Sequence, residues 1–221
     1  MHDDMFLFVD RNEAGEKLAD KLLDEPLIQE ATSKELLVLS IPRGGVVVGA
    51  AIAQALQCSH DVVVVKKIGF PGQEELAIGA MAEDGTMVLN RQVTSQYNSY
   101  TKQSLERVKT YIDTAIQKYR QGRTLDLKSK IVIVVDDGVA TGETMKAVIM
   151  WLTSRGPAQR PQIIIVAIPV CSPRAAADIG KLADKLVCLS IPERFWAVGQ
   201  FYWDFDPVSD EQVVEYLLAQ K

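Results

Sequence analysis

Ile131-Val132-Ile133-Val134-Val135-Asp136-Asp137-Gly138-Val139-Ala140-Thr141-Gly142-Glu143-Thr144 is the stretch on which the fold turns. Five branched apolar residues in an unbroken run mark a strand buried on both faces of a sheet. The run ends in two adjacent carboxylates, and a short turn then opens a helix at Thr141-Gly142-Glu143-Thr144. Backbone N–H groups at a helix start, with two hydroxyls and a glycine that permits close approach, make a cradle for an anion. Carboxylates at the C-terminal end of a parallel strand lie where open α/β sheets bind ligands. Together these features describe a sugar-phosphate site, with phosphate on the turn and sugar hydroxyls on Asp136 and Asp137. A solvated turn with a helix cap is the plainer alternative, and it leaves most of the specified positions unexplained.

Runs of the same kind recur at 36–41, 62–65, 163–168 and 186–189, between stretches of helical periodicity. That rhythm predicts a mostly parallel sheet covered on both faces. Asp10-Arg11-Asn12-Glu13 has capping-box spacing and opens a helix through Ala14, Leu18 and Leu22. Further helices are predicted over 46–56 and 99–121, the latter with Leu105, Val108, Ile112, Ala115 and Tyr119 as a core stripe. One starts at Thr144 and is closed by Gly156-Pro157, with Trp151 in its core face; one has Ser172 as cap and Pro173 at its start; the last begins at Ser209. Two regions break the rhythm. Over about 67–90, Gly69, Pro71, Gly72, Gly79 and Gly85 predict a mobile loop followed by a hairpin. Over about 191–208 lies an aromatic-rich hood segment. The expectation is one α/β domain over 1–221, a Rossmann-like, mostly parallel sheet flanked by helices with a small hairpin and C-terminal hood.

Composition narrows the function. The 24 Lys and Arg against 29 Asp and Glu give a net charge of −5, so attraction to nucleic acid or anionic lipid is not expected. The longest apolar run, 163–170, contains a proline and falls far short of the roughly 20 residues of a membrane helix. Met1-His2-Asp3-Asp4 lacks the cationic start of a secretory leader. Cys58, Cys171 and Cys188 are odd in number and widely spaced, which fits a reduced cytoplasm and no structural zinc. No phosphate-binding Gly-x-x-x-x-Gly-Lys-Ser/Thr and no Gly-x-Gly-x-x-Gly after a strand is present, which disfavours triphosphatase and dinucleotide chemistry. Aspartyl phosphate transfer wants a strand ending in Asp-x-Asp, whereas Asp136 and Asp137 are adjacent; Asp204-Phe205-Asp206 has the spacing but too little chain after it. His2 and His60 form no ligand or nucleophile–base pair, and His60 is expected at the surface.

Residues 134–144 closely resemble the phosphoribosyl-pyrophosphate (PRPP) signature of the type I phosphoribosyltransferases. Beyond it, the chain resembles an uncharacterised bacterial group of these proteins in Arg11-Asn12-Glu13-Ala14-Gly15, Ile41-Pro42-Arg43-Gly44-Gly45-Val46, Lys67-Ile68-Gly69-Phe70-Pro71-Gly72, Leu76-Ala77-Ile78-Gly79-Ala80 and Gly199-Gln200-Phe201-Tyr202. The resemblance spans nearly the whole chain and implies a Mg²⁺-dependent transferase that moves the phosphoribosyl group of PRPP to a nitrogen heterocycle and releases pyrophosphate. A PRPP- or nucleotide-binding regulator that lost turnover is the alternative. A homodimer is compatible with it.

Carried onto these residues, the resemblance gives Asp136 and Asp137 the ribose 2′- and 3′-hydroxyls. The substrate-binding turn runs Gly138-Val139-Ala140-Thr141-Gly142-Glu143-Thr144, and its Ala140–Thr144 part holds the 5′-phosphate through backbone N–H groups and the Thr141 and Thr144 hydroxyls, with Gly142 leaving it space and Glu143 turned outward. Pro42-Arg43-Gly44-Gly45 is the pyrophosphate loop, where a strained peptide exposes N–H, Arg43 brings charge and the glycines bring room. Lys66 and Lys67 meet the pyrophosphate, with the choice between them open. Glu74 and Glu75 lie in the loop that closes over the sugar. Mg²⁺ is held mainly by PRPP, or by Asp136 or Asp137 through water, rather than by protein ligands of its own. Residues 191–199 resemble the base-binding segment of the 6-oxopurine enzymes, so Phe195 or Trp196 stacks on the base while Val198 offers backbone contacts; packing of a small cap is the competing role. Ala140 stands where those enzymes place an aspartate beside the base's N7. Its absence points to an aromatic heterocycle other than a standard 6-oxopurine.

Overall fold

Apolar runs and helical stripes sort into alternating elements in the computed structural model, which describes residues 6–70, 73–89 and 98–219. In chain order they are α1 (Arg11–Leu23), the short α2 (Pro26–Gln29), β1 (Leu36–Ser40), α3 (Gly44–Leu56), β2 (Ser59–Val62), β3 (Lys66–Phe70), β4 (Gln73–Met81) and β5 (Met87–Leu89). They continue with α4 (Asn98–Arg120), β6 (Ile131–Val135), α5 (Glu143–Ser154), β7 (Ile163–Val170), α6 (Pro173–Ile179), β8 (Lys185–Ser190), a 3-10 turn (Val198–Phe201) and α7 (Asp210–Leu218). Among the described residues, no helix is long and apolar enough to cross a membrane.

The main sheet has the order β2-β1-β6-β7-β8 and every pairing in it is parallel. Successive side chains of a strand face opposite ways, and the two helical layers divide them accordingly. Leu37, Leu39, Val132, Val134, Ile164, Val166 and Ile168 pack under α5 and α6 with Met145, Trp151 and Ile179. Leu36, Val38, Ile131, Ile133, Val135, Ile165 and Ala167 pack under α1 and α3 with Leu18, Leu22, Val48 and Ile52. The chain leaves β1 toward β2 on one side, whereas β6 leads to β7 and β8 on the other. The switch point between β1 and β6 is the place where open α/β sheets hold ligands.

Local capping follows the sequence closely. The Asp10 side chain accepts from the Glu13 N–H at 2.9 Å, while Glu13 reaches back to the Val9 N–H rather than to the cap residue. Ser172 and Ser209 cap α6 and α7, the latter with Gln212 completing the box. The core stripe of α4 is buried at Val108, Ile112, Ala115 and Tyr119.

Three expectations are corrected. The strand placed at 62–65 runs instead over Ser59–Val62, because Val38 pairs with His60 and Ser40 with Val62. His60 is therefore interior rather than at the surface: only 6% exposed, it lies beneath α3 and shares a hydrogen bond of 2.8 Å with the Ser40 hydroxyl. The space it needs comes from Gly49, where a Cβ would overlap the Ser40 hydroxyl. Burial pulls the imidazole pKa down to about 3. Finally, the stretch read as a loop and then a hairpin is paired strand over most of its described residues. β3 and β4 are antiparallel, Lys67 facing Ala80, and β5 adds a third strand. Pro71 and Gly72 lie outside the described residues, as do the side chains of Glu74 and Glu75 and the terminal Met1-His2-Asp3-Asp4.

This small sheet is joined to the main one by a shared apolar cluster of Val46, Val62, Val64, Ile68, Met81, Ile112 and Val213. Beside that cluster runs a buried ion network. Arg120 contacts Asp61 at 3.2 Å and both Glu83 oxygens at 2.7 Å, while Glu83 also accepts from the Val64 N–H at 2.9 Å.

Candidate active site

A cavity of about 360 Å³ opens at the switch point, outside the carboxyl ends of β1 and β6. Its walls include Pro42 after β1, Lys66 and Lys67 from β3, Tyr111 from α4, Asp136 after β6, and the turn residues Gly138, Val139, Ala140, Thr141, Gly142 and Thr144. Val198 closes it from the hood. A larger groove of about 760 Å³ lies at the opposite end of β1 and β2, lined by Asn12, Glu16, Lys34, Gln54 and Tyr216 among others. Among the described residues on its walls Lys34 is the one cation and there is no carboxylate pair, so chemistry favours the smaller cavity.

The two aspartates part company. Continuing the alternation of Val134 and Val135, Asp136 turns to the α5 side and lines the cavity. Asp137 turns to the α1 side and is not among the lining residues; its Oδ2 accepts from the Arg11 Nε at 2.8 Å. Of the two carboxylates expected at the ribose, the structure thus sets Asp136 in the cavity wall and Asp137 against Arg11. Burial raises both carboxyls above the usual range. Asp136 rises further, because the charge of Asp137 adds to its desolvation, whereas Arg11 opposes the rise at Asp137. Lys67 works in the same restraining direction on Asp136.

The turn after Asp137 is held from behind. The Val139 N–H donates to the Val170 carbonyl and its own carbonyl accepts from the Ser172 N–H, both at 2.9 Å, and the Ser172 hydroxyl donates to the Ala140 carbonyl. Gly142, the N-cap of α5, has φ +84° and makes no side-chain cap bond; the first N–H of the helix, that of Glu143, is met by the Glu143 carboxylate itself. Glycine suits the left-handed backbone there, and a Cβ would also meet Ala175 at 3.3 Å. Glu143 does not line the cavity. Burial alone would raise its carboxyl, but the Thr141 hydroxyl, its own N–H and the nearby Lys146 and Lys67 hold it below the usual range.

Other expectations change place. The Arg43 side chain is half exposed and reaches toward Asp210 at 3.9 Å, outside the cavity walls, although its peptide with Pro42, which is cis, lies at the rim. Gly44 and Gly45 make room for the protein itself: a Cβ on Gly44 would overlap the Asp137 carboxylate, and one on Gly45 would meet the Asp136 Cα at 2.8 Å. Phe195 is spent on Phe201, with ring centroids 5.0 Å apart, and Trp196 is 80% exposed; neither lines the cavity. Gln200 also occupies the hood backbone, accepting from the Trp196 and Ala197 N–H groups and donating to the Arg194 carbonyl. Lys66 and Lys67 both line the cavity, and the Lys66 ammonium lies 4.4 Å from the Tyr111 ring centre.

Arg11 and Tyr202, quoted in the sequence only within motifs, and Tyr111 are residues that had no role at the site in the sequence reading. Tyr111 sits one turn-face away from the buried stripe of α4, where periodicity shows only that it is not core. The Tyr202 hydroxyl donates to the Asp137 carbonyl at 2.6 Å, a contact between positions 65 apart in the chain that no local pattern announces.

Comparison with known proteins fits this geometry. A family model described as the phosphoribosyl transferase domain matches residues 9–206. Two Mycobacterium tuberculosis proteins, from strains CDC 1551 and H37Rv and provisionally named as phosphoribosyl transferases, are 37% identical over 217 residues, covering 96% of this chain and 47% of theirs. The chain thus spans about half the length of these curated relatives. The crystal structure of TT1426 from Thermus thermophilus is similar with a TM-score of 0.78 at 38% identity, covering 96% of this chain and 98% of that one. A hypothetical protein from Neisseria gonorrhoeae with bound ppGpp, 14% identical with a TM-score of 0.51 and full coverage of both chains, shares the fold.

Proposed function

The chain belongs to the phosphoribosyl transferase domain family, and on that premise we propose that it transfers the 5-phosphoribosyl group of PRPP to a ring nitrogen of an aromatic heterocycle. One observation carries the proposal. The helix start at Gly142, which has no side-chain cap, the carboxylate of Asp136 and the side chains of Lys66 and Lys67 converge on a single cavity at the sheet's switch point. These are the donors and acceptors a phosphate, a ribose and a pyrophosphate require.

In this reading the 5′-phosphate sits on the N–H groups and hydroxyls of Thr141–Thr144, favoured by the helix dipole. Asp136 accepts from the ribose hydroxyls. Lys66 and Lys67, with the backbone at Pro42–Arg43, receive the pyrophosphate. The acceptor nitrogen attacks C1 of the sugar, the C1–oxygen bond breaks, and pyrophosphate leaves with the electron pair. Positive charge gathers on the sugar ring between Asp136 and the departing anion. The donor set suits Mg²⁺ carried on the substrate: among the described residues no three acidic, His or Cys side chains gather as a cage, and one carboxylate plus substrate phosphates is a common Mg²⁺ environment. Bound there, the ion would neutralise charge on the leaving pyrophosphate.

The acceptor end of the cavity is apolar, with Val139, Ala140 and Val198. With no carboxylate at position 140, a 6-oxopurine would lose a base for its N7 proton, worth about 10²–10⁴-fold in rate. The acceptor is therefore a heterocycle whose attacking nitrogen needs no such help. The experiment is pyrophosphate release from PRPP and Mg²⁺ against purines, pyrimidines and other nitrogen heterocycles, with PRPP binding measured in parallel. Release with one non-oxopurine base is expected. Fast turnover of guanine or hypoxanthine would overturn the acceptor assignment, and binding without release for any base would make the protein a PRPP sensor.

A further inference from the structure

Arg11 touches more of the site's supporting structure than any group so far given a role. It is the first residue of α1, and its Nε donates to Asp137 Oδ2 at 2.8 Å while its Nη1 donates to the Asp206 carbonyl at 2.9 Å. The guanidinium lies over Phe205, 3.7 Å from the ring centre, and Phe205 packs on Tyr202 at 5.0 Å. Tyr202 closes the circuit through its hydrogen bond to the Asp137 carbonyl. The Arg11–Asp137 pair is nearly sealed, with side-chain exposures of 10% and 15%. Gly44 is part of the same device, since a Cβ there would strike the Asp137 carboxylate and meet the Arg11 Nε at 2.8 Å.

We propose that Arg11 is the positioning residue of the carboxylate pair: it fastens Asp137 and the hood segment 202–206 to one guanidinium, leaving Asp136 as the carboxylate presented to the cavity. The assignment of Asp136 to a ribose rests on the functional reading above; the anchoring of Asp137 does not. The charged and titratable groups facing Asp137 are Arg11 from α1, Asp136 beside it and the Tyr202 phenol from the hood, so Arg11 is the cation that balances it. Without that cation two neighbouring carboxyls share one buried corner and hold a proton in common. A lysine restores the charge but cannot supply the two-pronged donation together with the stack on Phe205.

The test uses the whole chain with Arg11→Gln, Arg11→Lys and Phe205→Leu. PRPP binding with Mg²⁺ is followed by calorimetry from mildly acidic to mildly alkaline pH, and the Asp137 carboxyl is titrated by carbon NMR in the ligand-free protein. Arg11→Gln should weaken PRPP about ten-fold or more at neutral pH, and both the Asp137 titration and the pH at which binding levels off should move upward. Arg11→Lys should return the titration most of the way and the affinity partly, while Phe205→Leu should leave the titration in place. An unmoved Asp137 titration in Arg11→Gln overturns the proposal, and so does equal impairment of the Gln and Lys variants, since a purely structural role would produce that. If the wild type binds no PRPP, the functional reading fails, and the Asp137 titration still decides the role of Arg11.

Discussion

Asp136 and Asp137 have the same side chain and opposite surroundings. Their adjacency was plain in the sequence, and from it both were assigned to one ribose, although neighbours at a strand end face opposite layers. What the sequence did not show is that Arg11, 126 positions away, waits on the far side for Asp137. Asp136 is the more burdened of the two, its carboxyl raised by burial and by its neighbour's charge. A carboxyl whose folded pKa lies above its unfolded one adds stability that is complete in acid and lost as pH rises through the folded pKa. Asp136→Asn should therefore melt higher than wild type at neutral pH, by about 2–4 °C for each kcal/mol of relief. The gain should vanish below the ordinary carboxylate pKa, where wild type is protonated as well. The same variant should bind PRPP more weakly, having lost a charged acceptor. Calorimetric melting at acid and neutral pH with a PRPP titration checks both halves, and a melting point lower than wild type at neutral pH would refute the strain.

Elements whose signal is local were legible: β1, β6, β7 and β8 from unbroken apolar runs, α6 and α7 from Ser172 and Ser209 caps. Elements set by partners were not. The limits of β2 depend on the register of Val38 with His60, and a buried histidine looks like a surface one until Gly49 and Ser40 are seen around it. The glycines over 67–90 suggested turns, yet Gly69 and Gly79 sit within paired strands. At the start of α5 the glycine signal was sound, and the structure adds a backbone reason for it, the left-handed φ at Gly142. Gly142→Ala should cost about 1–2 kcal/mol from the left-handed backbone alone, with more from the approach to Ala175, and should weaken PRPP by tilting the helix start. Gly85 shares that backbone, φ +83°, with nothing near its missing Cβ. Gly85→Ala therefore isolates the backbone cost and should leave PRPP binding alone. Equal losses of PRPP affinity in the two variants would remove Gly142 from the phosphate site.

Across the whole molecule, the cavity needs two sheets held in register, since Asp136 and the phosphate turn come from one and Lys66 and Lys67 from the other. The apolar cluster between them is permissive, because packed aliphatic faces tolerate small slides. The ion network is not. Arg120 is 5% exposed and grips Asp61 on the main sheet and Glu83 in the turn between β4 and β5. Glu83 in turn holds the Val64 N–H, two residues before Lys66. No sequence pattern announced this, because its members come from three separate elements and each alone reads as a solvated charge. Removing one partner of a buried ion pair strands the other and costs about 3–5 kcal/mol. Glu83→Ala should lower the unfolding free energy in urea by that much and weaken PRPP, since the backbone leading into both lysines loses its acceptor. Glu83→Gln keeps an oxygen for the Val64 N–H while dropping the charge, so it should lose stability yet retain more of the PRPP affinity. That ordering separates holding the lysines from merely holding the fold. If the two variants lose stability and affinity in the same proportion, the network supports the fold alone and the lysines are placed by the apolar cluster.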